Sequence, residues 1–317
     1  MKLRILLTGK KGQIGAELAA LLPGLGELRA FDRHELDLSK PEHIRRAIRD
    51  FQPNIIVNAA AYTSVDQAER EETQARIINV DAPALMAEEA KRIGALLAHY
   101  STDYVFDGSS SLPYAETDQP NPINVYGKTK FAGEEAIRAV GGPHLIFRTA
   151  WVYGTAGRNF LLTILRLATE REELKVVRDQ FGAPTWSHEI AKGTVRVLLQ
   201  LSQQGREASS KFDGIYHMTA AGKTSWFEFA EAILERASRT PQGVAWFVAA
   251  TGGHPLVVRR ITPIATEQYP TPASRPASSV LSNGRLKQMF GLELPGWKAQ
   301  LGAAFADSQA KDQSIDA

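Results

Sequence analysis

Hydrophobic and polar positions change period along the chain in a regular way. Residues 4–7 are a short apolar run of strand type, and from about 13 to 22 the apolar residues recur at helical spacing. Residues 28–31 read as a second strand. Ser39-Lys40-Pro41-Glu42 has the form of a capping box and opens a helix to about Phe51. A buried strand at 55–57 precedes a helix that ends near Gly94, and a further strand covers 96–100. A helix opens at Tyr126 after the Pro- and Asn-rich loop 119–122, and 144–148 is the next strand. This alternation predicts an α/β fold with a Rossmann-like, doubly wound parallel sheet over residues 1–154.

Beyond 155 the rhythm loosens. Helical patterns cover 160–170, 186–201 and 225–238, with strand-like runs at 174–177 and 215–218. These predict a smaller C-terminal α/β domain over 155–305 that can return a strand or helix to the first; its substrate-binding role is what the family resemblance given below implies. Residues 205–210 read as a surface loop, 269–276 as a shaped Pro-rich loop, and 306–317 as a polar tail. The stretch 244–260 carries Gly252-Gly253 and reads as a surface insertion.

Composition narrows the chemistry. The chain has 317 residues, 44% of them hydrophobic, enough for a real core. Its 37 basic and 35 acidic side chains leave a formal charge of +2, and no basic run marks a nucleic-acid patch. Cysteine is absent, which removes disulfides, thiolate chemistry and Cys-ligated metals. No apolar run approaches the ~20 residues of a membrane span, and the N-terminal run is too short for a signal peptide core. A cytoplasmic protein without membrane or nucleic-acid partners is expected.

Against that background the punctuating residues acquire meaning. Gly9-x-x-Gly12-x-x-Gly15 follows the first strand and opens the first helix, an order that lets backbone approach a pyrophosphate at a helix N-terminus. Asp32, about 20 residues on, suits adenine-ribose hydroxyls, whereas Arg33 beside it suits a 2′-phosphate, so NADH and NADPH both stay open. Asp37-Leu38 lies where an adenine edge binds. Small residues in Asn58-Ala59-Ala60-Ala61-Tyr62-Thr63 let a cofactor lie against backbone. Ser101-Thr102-Asp103 falls at a strand's C-terminal end, where open parallel sheets bind ligands. Tyr126 and Lys130, four apart on a helix, point into one pocket, and a nearby ammonium would draw the phenol toward the range for proton transfer.

Together Thr8-Gly9-x-x-Gly12-x-x-Gly15, Asn58-Ala59-Ala60, Ser101-Thr102-Asp103-Tyr104-Val105-Phe106 and Tyr126-x-x-x-Lys130 resemble the extended short-chain dehydrogenases. Gly12-Gln13-Ile14-Gly15, 124–130, 147–153, 179–185 and Pro272-Ala273-Ser274-Arg275-Pro276 are similar to the dTDP-4-dehydrorhamnose reductase family, over residues 3 to about 305. The resemblance implies reduction of a dTDP-linked 4-keto sugar, with Tyr126 as general acid, Lys130 on the nicotinamide ribose and Thr102 on the tyrosine or keto oxygen. It further implies that Gln13, Ile14 and Trp151 touch cofactor, and that Thr102, Asp103, Trp151, Asn159 and Arg275 touch substrate, Arg275 through its diphosphate. Some members of the family bind Mg²⁺ between two subunits through carboxylates. Glu17 and Asp307 match two ligand positions, but His188, followed by Glu189, stands where a glutamate is expected. An imidazole is a poor ligand for a hard cation, so a metal-dependent homodimer is not expected. Two rival readings are an epimerase or dehydratase on the same scaffold and a non-catalytic regulatory subunit. Asp103 is not followed by a glutamate, which argues for simple reduction, and an intact Tyr126, Lys130 and Thr102 argue against a pure binding module.

Overall fold

The first apolar run forms β1 (Leu3–Thr8), with Ile5 and Leu7 in one core and Leu6 in another. Burial on both faces is what a central parallel strand requires. The structure, a computed structural model, describes residues 3–204, 210–240 and 243–307. Most of the loop expected at 205–210 and the tail beyond 307 lie outside the described residues.

β1 is followed by α1 (Gln13–Leu21), β2 (Gly26–Phe31), α2 (Pro41–Phe51) and β3 (Ile55–Asn58). After β3 the single helix expected up to Gly94 is instead broken into α3 (Val65–Ala68), α4 (Glu72–Arg76), a π-helical turn (Ile77–Asp81) and α5 (Ala82–Ile93). The π turn has a cause. Asn79 is fully buried within it, its side chain accepting from Tyr62 N at 2.9 Å and donating to Tyr62 O and to Thr129 Oγ1 at 3.1 Å. A wider turn turns that amide inward, and Pro83 then restarts the α-helix.

β4 (Leu96–Thr102), α6 (Val125–Val140) and β5 (His144–Thr149) complete the first half. The six-stranded sheet is parallel throughout and is closed at one edge by Gly214–His217, a strand from the C-terminal half. The chain passes from β1 to β2 on one side and returns to β3 on the other. The crevice between the C-terminal ends of β1 and β3 is therefore the topological switch point, where open sheets bind ligands. α7 (Phe160–Glu170) and α8 (Ser187–Gln204) follow, and α8 packs with α1 over one face of the sheet.

A third core gathers Tyr153, Leu161, Ile164, Phe229, Ile233 and Trp297 from the C-terminal half. The segment expected to be a surface insertion contributes to it. Ala245–Thr251 is a short helix that buries Trp246 and Phe247, and Trp246 Nε1 donates to Asp307 O at 3.1 Å. Burying two large aromatics outweighs the exposure that Gly252-Gly253 suggests.

Candidate active site

Local sequence builds the cavity from the turn upward. β1 ends at Thr8 and the chain reverses through Gly9, which has φ +76°, into α1. A Cβ at Gly15 would lie 1.9 Å from Gly9 O, so only glycine lets the turn close against the helix. Gly12 caps α1 without a side-chain hydrogen bond, and no acidic residue occupies the first turn. Its free N–H groups and positive dipole end therefore suit phosphate oxygens.

This turn forms one wall of a cavity of about 890 Å³. Gly9, Gly12, Gln13, Ile14, Asp32, Asp37, Leu38, Ala61, Tyr62 and Thr63 line it, as do Thr102, Asp103, Tyr126, Lys130 and Trp151. Gly15 lies beneath, packed on Gly9. The shape suits a dinucleotide: a glycine cradle, alanines at 59–61 that leave space beside backbone, and Lys11 and Arg33 near the far end. Asp32 Oδ1 accepts from His34 N at 2.9 Å and Glu35 N at 3.1 Å, so part of the carboxylate holds its own loop. Oδ2 lies 3.5 Å from Lys11 Nζ.

At the other end α6 carries Tyr126 and Lys130. Asn124 caps the helix by accepting from Gly127 N at 2.7 Å, and its Nδ2 donates to Ser274 O at 2.8 Å, tying helix and Pro-rich loop together. Tyr126 is half-buried on the cavity wall, 5.9 Å edge-to-face from Tyr104. Burial pushes its phenol up to about 12, with the Thr102 hydroxyl within hydrogen-bonding reach and pulling the other way. The expectation that Lys130 lowers the phenol is not met. Nζ is turned inward, donating to Tyr100 O at 2.6 Å and lying 3.1 Å from His99 Nε2. Burial instead pushes Lys130 itself down to about 8, against the pull of Glu134. Asp103, 2% exposed, is raised by burial to about 7; the Thr102 hydroxyl donates to its Oδ1 at 3.0 Å.

Trp151 adopts φ +46°, a left-handed conformation uncommon outside glycine, and stacks on Trp226 with ring centroids 3.5 Å apart and planes 3° apart. Both line the cavity, as do Gly157 and Arg158. Trp226 and Arg158 were missed from sequence because neither belongs to a local motif. Only the fold brings them to the same wall.

Two expected substrate contacts are otherwise engaged. Asn159 caps α7 by accepting from Leu162 N at 3.1 Å, and its Nδ2 donates to Gly154 O and Ala156 O. It shapes the loop rather than lining the cavity. Arg275 pairs with Asp66 at 2.9 Å and donates to Ala273 O, because its own loop folds back onto α3. Glu17 is 2.9 Å from His188 Nδ1, and among the described residues no group of three or more His, Asp or Glu could hold a metal ion. One carboxylate facing an imidazole does not fit Mg²⁺. Among the described residues no helix is long and apolar enough to cross a membrane.

Known proteins resemble this chain over nearly its whole length. The family model described as RmlD substrate binding domain matches residues 2–310. The chain is 50% identical over 305 residues to a dTDP-4-dehydrorhamnose reductase of Burkholderia thailandensis, covering 96% of this chain and 99% of that protein. It is 44% identical over 302 residues to the one from Escherichia coli strain K12, covering 93% and 95%. Among solved structures, it superimposes on dTDP-4-dehydrorhamnose reductase from Bacillus anthracis in complex with NADP, with TM-score 0.84, 34% identity and coverage of 96% and 99%.

Proposed function

The chain belongs to the RmlD substrate binding domain family, and on that footing we propose that it reduces the C4 keto group of dTDP-4-dehydro-β-L-rhamnose to give dTDP-L-rhamnose, with NADPH or NADH as reductant. What carries the reading is that Tyr126, Thr102 and Lys130 share one cavity with the glycine turn, in a chain 50% identical to a reductase of this name.

The nicotinamide, when bound, supplies a hydride to C4. Tyr126, protonated across the neutral range, gives its proton to the C4 oxygen as negative charge builds there, which completes the alcohol. The Thr102 hydroxyl steadies the phenol and the developing charge. Lys130 holds the nicotinamide ribose, and α1's N-terminus with Gly9, Gly12, Gln13 and Ile14 holds the pyrophosphate. Asp32, Asp37, Leu38, Ala61, Tyr62 and Thr63 seat the adenosine half, with Lys11 and Arg33 favouring a 2′-phosphate. Asp103 and Trp151 meet the sugar. Residues 155–305 carry the nucleotide-sugar half, in a cytoplasmic enzyme whose homodimer, where formed, needs no shared metal.

Tyr126→Phe tests the reading. Turnover falls by about 10²-fold or more, the scale of general acid catalysis, while NADPH binding followed by fluorescence is retained. Undiminished turnover in a folded variant would remove the tyrosine from its role.

A further inference from the structure

Thr8, Asn58 and His99 stand in register on β1, β3 and β4. Their side chains and that of Lys130 form one hydrogen-bonded chain across the sheet. Thr8 Oγ1 donates to Asn58 Oδ1 at 2.6 Å, and Asn58 Nδ2 lies 3.0 Å from His99 Nδ1. His99 Nε2 then lies 3.1 Å from Lys130 Nζ, which donates to Tyr100 O at 2.6 Å. All four side chains belong to residues at most 2% exposed, so away from the cavity their polar atoms depend on one another and on nearby backbone.

The protons on this chain can be counted. Ala60 N–H also donates to Asn58 Oδ1, at 3.3 Å, so the amide oxygen faces the loop and the NH₂ faces the imidazole. An NH₂ only donates, so Nδ1 must accept, and the proton of the neutral ring sits on Nε2. The ring is neutral: burial, the largest cause, holds His99 well below the usual histidine range whatever the charge on Lys130. Nε2–H thus points at Nζ. An ammonium has no lone pair to receive it, whereas an amine has one and still donates to Tyr100 O.

We propose that His99 is a positioning residue which, locked by Asn58, holds a hydrogen-bond donor against Lys130, so that Lys130 titrates within the working pH range instead of standing as a permanent cation. Burial pushes Lys130 the same way. Of the charged groups around it, Glu134 lies one turn along α6 and pulls against the shift, but is itself bound to Arg148 of β5 at 2.6 Å. Asp103 and Tyr126 line the cavity beside it, and the Tyr100 phenol is bonded to Thr194 at 2.6 Å. The consequence for turnover rests on the reductase reading. Reduction needs Tyr126 with its proton on, and a fixed ammonium would favour the phenolate. The polar row thereby suits the reductive direction.

Nitrogen-15 NMR of the full chain, labelled at histidine and at lysine, tests this without substrate. The wild type should show His99 protonated at Nε2 and bare at Nδ1, and Lys130 titrating about two units below the ordinary lysines near 10.4. Asn58→Asp offers an acceptor to Nδ1, draws the proton there and frees Nε2 to accept from an ammonium. Its Lys130 titration should rise by about one unit or more. His99→Gln, which adds no charge and can turn a carbonyl to Nζ, should raise it too. Protonation at Nδ1 in the wild type, or a Lys130 that titrates with the surface lysines, would overturn the proposal. So would unchanged Lys130 titration in folded forms of both variants. The predicted proton pattern in a chain inactive on the keto sugar would instead defeat only the reductase reading.

Discussion

Asp103 shows how a single residue is set against stability for the sake of the site. Its carboxyl is 2% exposed and raised to about 7. A carboxyl raised in the folded state binds its proton more tightly there than in the unfolded chain. Its contribution is therefore most favourable below about pH 4 and is lost as pH climbs toward 7, on the order of a few kcal/mol in all. Asp103→Asn should remove that loss. Its melting temperature should exceed the wild type's at pH 8 and match it near pH 4, while turnover of the keto sugar falls. An equal shift at both pH values would show that the charge is not what costs stability. That Tyr126, Lys130, Thr102 and Asp103 meet at one cavity was legible in sequence because each sits at a strand end or on one helix face. Their charge states were not. Those depend on burial and on His99, which reaches Lys130 only once β4 and α6 pack together.

At the scale of elements, Trp151 and Trp226 form a stacked plate that links the end of the sheet to the helix Trp226–Ala237. Gly182 makes room for it, since a Cβ there would lie 2.3 Å from the Trp151 ring. Gly182→Ala should cost about 1–3 kcal/mol from overpacking and raise KM for the sugar nucleotide more than it lowers kcat. Near-UV circular dichroism should lose intensity as the indole stack loosens, and an unchanged spectrum would contradict the packing. The long alternating elements were readable from periodicity, as α2 and α7 illustrate with boundaries close to those expected. The break of the helix expected to end near Gly94 was not, because its cause is Asn79 reaching Tyr62 and Thr129, partners distant in sequence. Asn159 and Arg275 have intramolecular partners that sequence did not show either. Both were nominated by the family resemblance, and the local fold engages one as a helix cap and the other with Asp66.

The molecule joins several cores around one crevice, and the C-terminal half is not a separate appendage. It sends Gly214–His217 into the sheet beside β5 and lays α8 on α1. Within the first half, beside that join, Arg148 of β5 and Glu134 of α6 form an ion pair 1% and 0% exposed. Glu134→Ala should lower stability by about 3–5 kcal/mol, since it strands a buried guanidinium, and denaturant unfolding would measure it. A loss under about 1 kcal/mol would mean that the pair is not buried in solution. The edge strand was read from sequence as a strand, but its place in the sheet is a long-range pairing that no local pattern encodes. The central claim, reduction of a keto sugar in the crevice this architecture builds, is met most directly by following NADPH and then NADH absorbance with dTDP-4-dehydro-L-rhamnose generated in place. The account predicts one cofactor oxidised for each dTDP-L-rhamnose formed, and no oxidation without the keto sugar. Binding of both cofactors with no consumption of either would contradict it.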